Sequence, residues 1–285
     1  MRIVRNKEVK IIHPATLKWL AGAALAAPAV FLVVVLFVVP FGHSVMTSLQ
    51  AANGEWTLVN YMTAFELYTK DIWYTLWVSA LSLAVLLLLS VLIGGLLRLK
   101  GRPVIEFIFK IPLFVPFVVV GHAMRVFLAP HGTLNSTLLS IIPFDPDAVP
   151  SIAFTTAGLV ISLVWKNIGF SLLLILGSFR SVNQSYLDAA RNVGAGNLRL
   201  IKDIMLPMSY GSIAVVSVLT FTSMMGSFSI PAMLGNGDGS QMIMIDLYYQ
   251  MVYQHNNGVA NALGVISYLI SMGAAIYYVR RVSSV

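Results

Sequence analysis

The side chains able to do chemistry are few and dispersed. Among 285 residues there are five histidines, eleven acidic residues and no cysteine. His13, His43, His122, His131 and His255 recur at no spacing that would bring two of them onto one metal. No G-x-x-x-x-G-K-[ST] phosphate loop occurs, which excludes a nucleotide site of that type. Without cysteine there is no disulfide or thiolate metal site. A catalytic centre and a metal site are therefore not expected. Three features remain. Lys166 and Arg125 are cations inside apolar stretches, and "SYLDAARNVGAGNLRLIKDIMLP", residues 185–207, is a polar, glycine-punctuated run between two apolar ones.

The elements that must position these residues are membrane helices. Hydrophobic residues make up 58% of the chain and charged residues 10%, with a mean hydropathy of +0.84, whereas soluble domains carry about a quarter charged residues. Apolar stretches of about 20 residues cross a bilayer as helices, which satisfy their own backbone hydrogen bonds where water cannot. Six are expected, near 20–45, 74–97, 107–128, 153–178, 208–233 and 258–279, so the fold class is all-α and polytopic. The loops between them separate by charge. Arg2, Arg5, Lys7, Lys10, Lys18, Arg98, Lys100, Arg102, Lys110, Arg180, Arg191, Arg199, Lys202, Arg280 and Arg281 fall in one set, while the other has Lys70 with Glu55, Glu66, Asp71, Asp145, Asp147, Asp238 and Asp246. Basic loops face the cytoplasm, so both termini are expected there. Residues 1–19 read as a cytoplasmic segment, and the run from Leu20 to Phe41 is too long for a signal-peptide core, so it reads as an uncleaved first span. The net charge of +7 lies in short clusters beside the spans, which is the pattern of orientation signals and not of nucleic-acid binding.

Residues 179–207 then join the fourth and fifth spans on the cytoplasmic side as two short helices. Ser185 is expected to cap the first, with Asp188 three residues on completing a capping box. Gly194 and Gly196 form a stop and a turn. Asn197 starts the second helix, where Leu198, Ile201 and Met205 make an apolar stripe opposite Arg199, Lys202 and Asp203. Pro207 closes the unit at the membrane boundary. Such a pair either contacts something in the cytoplasm or lies on the lipid surface.

The stretch resembles the "EAA" loop of binding-protein-dependent ABC importer permeases. Asp188, Ala189 and Ala190 stand at the opening, Gly194 at the glycine position, and Ile204, Leu206 and Pro207 at the end, with Asp where Glu is usual. "LVWKNIGFSLLLILGSFRSVNQSYLDAA", "VNYMTAF" and "HGTLNSTLL" are similar to other segments of that family. "GSFSIPAMLGNGDG" resembles the branch that imports polyamines, ferric ion, thiamine and aminophosphonates, although "VWKNIGF" is also similar to sugar permeases. The resemblance implies a permease domain over 20–281, with a loop over 179–207 whose Ser185-to-Gly196 segment is a coupling helix. It implies two separate ATP-binding subunits, a second permease (a related chain favoured over a second copy) and an extracytoplasmic solute-binding protein docking on 46–73, 129–152 and 234–257. The location is a prokaryotic inner membrane. This chain would hold no cofactor, ATP and magnesium belonging to the partner.

An unpaired charge near mid-span is costly, so Lys166 should face the bundle interior or a wet cavity. It either lines the solute path or permease interface, or reaches a polar neighbour such as Asn167 or Ser162. Arg125 can snorkel from the outer end of its span. Gly226 and Pro231 are expected to break the fifth span beside the path, and Met224, Met225, Met233, Met242 and Met244 suit either a sliding gate or core filling. An ion-coupled transporter is disfavoured because no carboxylate lies centrally in a span, and a scaffold without transport stays open. Acidic outer loops suit a cationic solute, whereas Lys166 and Arg125 suit an anion.

Overall fold

The computed structural model describes residues 14–51, 53–141, 152–235 and 239–282. Their regular structure is helical apart from one isolated bridge, Gln50 to Trp56. The chain opens with α1 (Pro14–Val33), a π turn (Val34–Val38) and α2 (Val39–Ser48). α3 (Val59–Lys100) has 42 residues, about 63 Å at 1.5 Å per residue, twice the hydrocarbon thickness. Its first fifteen residues, with Glu66, Lys70 and Asp71, lead into the expected second span. α4 (Pro103–Phe114) and α5 (Phe117–Leu128) follow, then α6 (Thr133–Ile141) and the uninterrupted α7 (Thr156–Ser181).

Beyond α7 come α8 (Gln184–Asn192), α9 (Asn197–Arg199), a second π turn (Leu200–Met205), α10 (Leu206–Met208) and α11 (Tyr210–Met225). α12 (Ser229–Leu234), α13 (Ile243–Val252) and α14 (Asn257–Val282) complete the chain. Each π turn is followed by a proline, Pro40 or Pro207, whose ring would clash with the carbonyl four residues earlier and so widens the preceding turn.

Among the described residues four helices are long and apolar enough to cross a membrane, and there are up to six spans if each of two bent pairs is one span. The third expected span, 107–128, is not one helix: α4 meets the segment starting with α5 at 109°. Pro116 lacks an N–H and pushes Val115 into an extended conformation, which ends α4. The fifth, 208–233, is also interrupted. Residues 197–208 lie at 80° to α11, and α11 stops at Gly226 before α12 restarts at Ser229. Helices α6 and α13 fall in segments expected to be outer loops.

α7 is the axis of the bundle. Seventy-two per cent of its most apolar window is buried, against none for the first span, and it packs on α3, α4, α5, α11 and α12. Small residues allow these close approaches. Gly94 of α3 faces Leu172, and Gly169 of α7 faces the main chain of Lys110 and Leu113, where an added Cβ would lie 3.1 Å from the Lys110 carbonyl oxygen. A Gly169→Ala substitution should therefore lower the melting temperature in detergent, since overpacking costs about 1–3 kcal/mol. Gly177→Ala, with nothing within 4 Å of the new Cβ, should raise it or leave it unchanged, because alanine favours helix over glycine by about 0.5–1 kcal/mol. Equal shifts for the two variants would contradict the close packing of α4 on α7.

Candidate functional site

Two features stand out among the residues flagged in the sequence, one at each half of α7. The first is the α8 loop. Its helix is capped not by Ser185 but by Asn183, whose Oδ1 accepts from the Ser185 backbone N–H at 3.0 Å. Ser185 lies inside the first turn, its hydroxyl 2.5 Å from the same oxygen. Asp188 makes no capping box. It accepts from Gln184 Nε2 at 2.9 Å and pairs with Arg191 at 3.0 Å. Gly194 does end the helix, at φ +87°. The Ala195 N–H donates to the Ala190 carbonyl and the Gly194 N–H to the Arg191 carbonyl, which satisfies two of the orphan acceptors at the helix end.

Only one α8 side chain is fully buried. Leu187 inserts among Phe179, Val182, Leu200, Ile201 and Met205, and Ala190 packs beside it. Ser185, Tyr186, Asp188, Ala189, Arg191 and Val193 are exposed, Val193 at 85%. The apolar stripe of the second segment also differs from expectation. Leu200, Ile201 and Met205 are buried while Leu198 is 65% exposed, because the π turn places residues five apart, not four, on one face. Ile204 and Leu206 are half-buried, and Pro207 is exposed.

The loop is fastened to α3 as well. Arg98 Nε donates to the Phe179 carbonyl at 3.1 Å, and its Nη2 donates to the Val182 carbonyl at 3.3 Å and Gln184 Oε1 at 3.1 Å. A guanidinium thus satisfies carbonyls at the end of α7. Ile201 lies over Gly95, where a Cβ would come within 2.5 Å of it. Glu106, at the start of α4, joins Lys110 and Arg180, each at 2.6 Å.

The second feature is the break between α4 and α5. Lys166 reaches neither Asn167 nor Ser162, whose side chains bond to carbonyls of their own helix. Its Nζ instead donates to the main-chain oxygens of Val115 at 2.6 Å, Pro112 at 3.0 Å and Leu113 at 3.5 Å. The Phe117 ring lies 4.6 Å away. One buried ammonium thereby covers three main-chain oxygens at the break between α4 and α5. Arg125 is exposed and sits 5.5 Å from the Phe154 ring, so it neither meets Lys166 nor enters the core.

The break in the fifth span belongs to Gly226, which caps α11. Pro231 lies in the first turn of α12, where a proline is tolerated. α12 packs on α5, with Gly121 against Met233, so the pieces beyond both breaks touch each other. Met224, Met225 and Met242 are fully buried, the core-filling reading of those residues.

The comparisons with known proteins agree with this geometry. Residues 87–282 match the family of binding-protein-dependent transport system inner membrane components. The chain belongs to that family. It is a permease subunit of an ABC importer and a multi-pass inner membrane protein. It is similar to the sulfoquinovosyl glycerol transport system permease of Agrobacterium fabrum, at 27% identity over 92% of this chain and 90% of that one. It is similar also to the spermidine/putrescine transport system permease of Haemophilus influenzae, at 24% identity over 86% and 83%. The fold matches a chain of a bacterial alginate ABC transporter, solved with an alginate pentasaccharide-bound periplasmic protein, at a TM-score of 0.77 and 21% identity over 92% and 93%.

At the opposite end of this permease, Gln241 ties together two acidic residues, Asp71 and Asp246, of the segments expected to be outer loops. Its N–H donates to Asp71 at 2.8 Å and its Nε2 to Asp246 at 2.5 Å. Asp246 is 1% exposed. Burial pushes its carboxyl up to about 7, the Gln241 bond opposing and the Asp71 charge adding to the rise. A carboxyl raised above its unfolded value near 3.9 stabilises its surroundings fully below that pH and loses the contribution as pH rises to about 7. Hydrogen exchange in 241–250 should therefore accelerate between about pH 4 and pH 7 beyond its chemical rate, with no further excess above about pH 7, and Asp246→Asn should remove that excess; an excess that persists would contradict the assignment. At the α8 end, Gly95→Val should displace Ile201 and expose 198–205 to protease, and adding Ile201→Ala should restore protection. No change with Gly95→Val would show that this contact does not fasten the loop.

Proposed function

We propose that α8 is the coupling helix of this permease, seated on a separate ATP-binding subunit, with both termini and the α8 loop on the cytoplasmic side. The observation that carries the reading is the division of α8 into two faces. Leu187 and Ala190 hold it to the bundle, while Tyr186, Asp188, Ala189 and Val193 are exposed. A helix lying on lipid would bury an apolar face in it. Here the outward face mixes an ion pair with Tyr and Val, which suits a protein groove better than acyl chains.

On this reading two ATP-binding subunits supply the hydrolysis, and this chain pairs with a second permease, a related chain being favoured over a second copy. Closure of the ATP-binding subunits shifts the pair between two packed arrangements. A small polar solute, released by an extracytoplasmic binding protein, crosses between them. The polyamine-type branch is favoured by "GSFSIPAMLGNGDG" and the Haemophilus relative. The engagement of Lys166 by carbonyls also removes the main argument for an anionic solute. A glycoside is the second reading, favoured by the nearly full-length match to the Agrobacterium permease.

Affinity purification from native membranes in a gentle detergent should bring down an ATP-binding subunit with the wild-type chain. Asp188→Arg or Val193→Glu should reduce its recovery at least tenfold, a loss of about 1.4 kcal/mol or more, without altering the amount of chain in the membrane. Undiminished recovery with both variants would overturn the assignment of α8.

A further inference from the structure

We infer that the end of α4 is a binding site for a primary ammonium ion, which the chain fills with its own Lys166, and that this tethered cation sets the angle between α4 and α5. The assignment rests on the carbonyl geometry, and only its connection with transport depends on the proposed function. The last carbonyls of a helix have no intrahelical donors and carry the negative end of its dipole. In hydrocarbon such groups cannot turn to water. At this break Pro116 removes the next N–H, and only the Val115 N–H returns, to Pro112 at 3.3 Å.

The three protons of the Lys166 ammonium meet three oxygens, those of Pro112, Leu113 and Val115, with the Phe117 ring lying against it. Lys166 is 8% exposed and forms no ion pair with any described carboxylate. The partners of the charge are therefore dipoles and a ring face alone, the ligand set that binds a small monovalent cation through N–H donors and a π surface. The lysine is delivered by packing, since Gly169, one turn along α7, allows α4 to approach.

The consequence is mechanical. α5 leaves α4 at a corner spanned by the Lys166 side chain of α7, and α12 rests on α5 at Gly121 and Met233. With the cation in place α5 has one direction. Without it, the carbonyls must find other donors and the corner opens.

The test uses the purified full-length chain with spin labels replacing Ile108 on α4 and Val119 on α5, both more than half exposed. Wild type should give one narrow distance distribution. Lys166→Ala, which empties the space, should broaden it, and methylammonium should narrow it again in a saturable manner, whereas tetramethylammonium, which has no N–H, should not. Lys166→Met fills the space without charge and should stay broad with either ion. If Lys166→Ala does not survive purification, recovery of monodisperse protein becomes the readout, and methylammonium but not tetramethylammonium must restore it. A narrow distribution in Lys166→Met, or Lys166→Ala indifferent to methylammonium, would overturn the inference. None of these readings involves the ATP-binding subunit, so they stand or fall apart from the proposed coupling role.

Discussion

A backbone inside hydrocarbon must satisfy its own hydrogen bonds, and the rest of this structure follows from how two exceptions to that rule are managed. Each unsatisfied carbonyl in lipid costs several kcal/mol, roughly the scale of burying an unpaired amide. The chain nevertheless interrupts its third span at Pro116 and its fifth at Gly226. The first interruption is stabilised by the Lys166 ammonium, which places its three donors on carbonyls of α4. A charge that would be costly alone in mid-span becomes the donor that makes the break tolerable. The second break is smaller, with the Gly226 and Ser227 N–H groups turned back on Thr222 and Met224.

The same principle operates at the other end of α7. Arg98 covers the Phe179 and Val182 carbonyls and reaches Gln184. A single continuous helix thus has its end fixed by a cation from α3, and supplies a cation to fix the end of α4. The α8 loop, the α7 axis and the broken third span are consequently linked through main-chain acceptors, which allow far less adjustment than flexible side-chain pairs. Leu187 of α8 and Phe179 of α7 share one buried cluster, so the two helices are packed together at this end.

Much of this was legible in the sequence. Hydropathy located the first, fourth and sixth spans to within a few residues, and Gly194 as the end of α8 followed from its position after a short helical period. What escaped depended on contacts distant in sequence or on small shifts of register. Lys166 was marked as anomalous, but its partners lie some fifty residues earlier and are main-chain oxygens, which no residue pattern discloses. Pro116 was readable as a helix stop and was passed over because the apolar run continues through it. Asn183 is as good a capping residue as Ser185, and the choice between them needed the geometry. Leu198 lost its place in the stripe to Leu200 because Pro207 widens the turn before it. At the fifth span the glycine, and not the proline, made the break.

If α8 engages an ATP-binding subunit as proposed, α8 and α7 form one rigid unit that conveys the state of that subunit to the broken spans. The most direct measurement is the distance between spin labels replacing Asn192 on α8 and Leu173 on α7, taken in the assembled transporter without nucleotide and after trapping with ATP. One unchanged distance is expected in both states, even as the transporter alternates between its two arrangements. A distance that changes with nucleotide would mean that α8 moves independently of α7 and that the two are not one rigid unit.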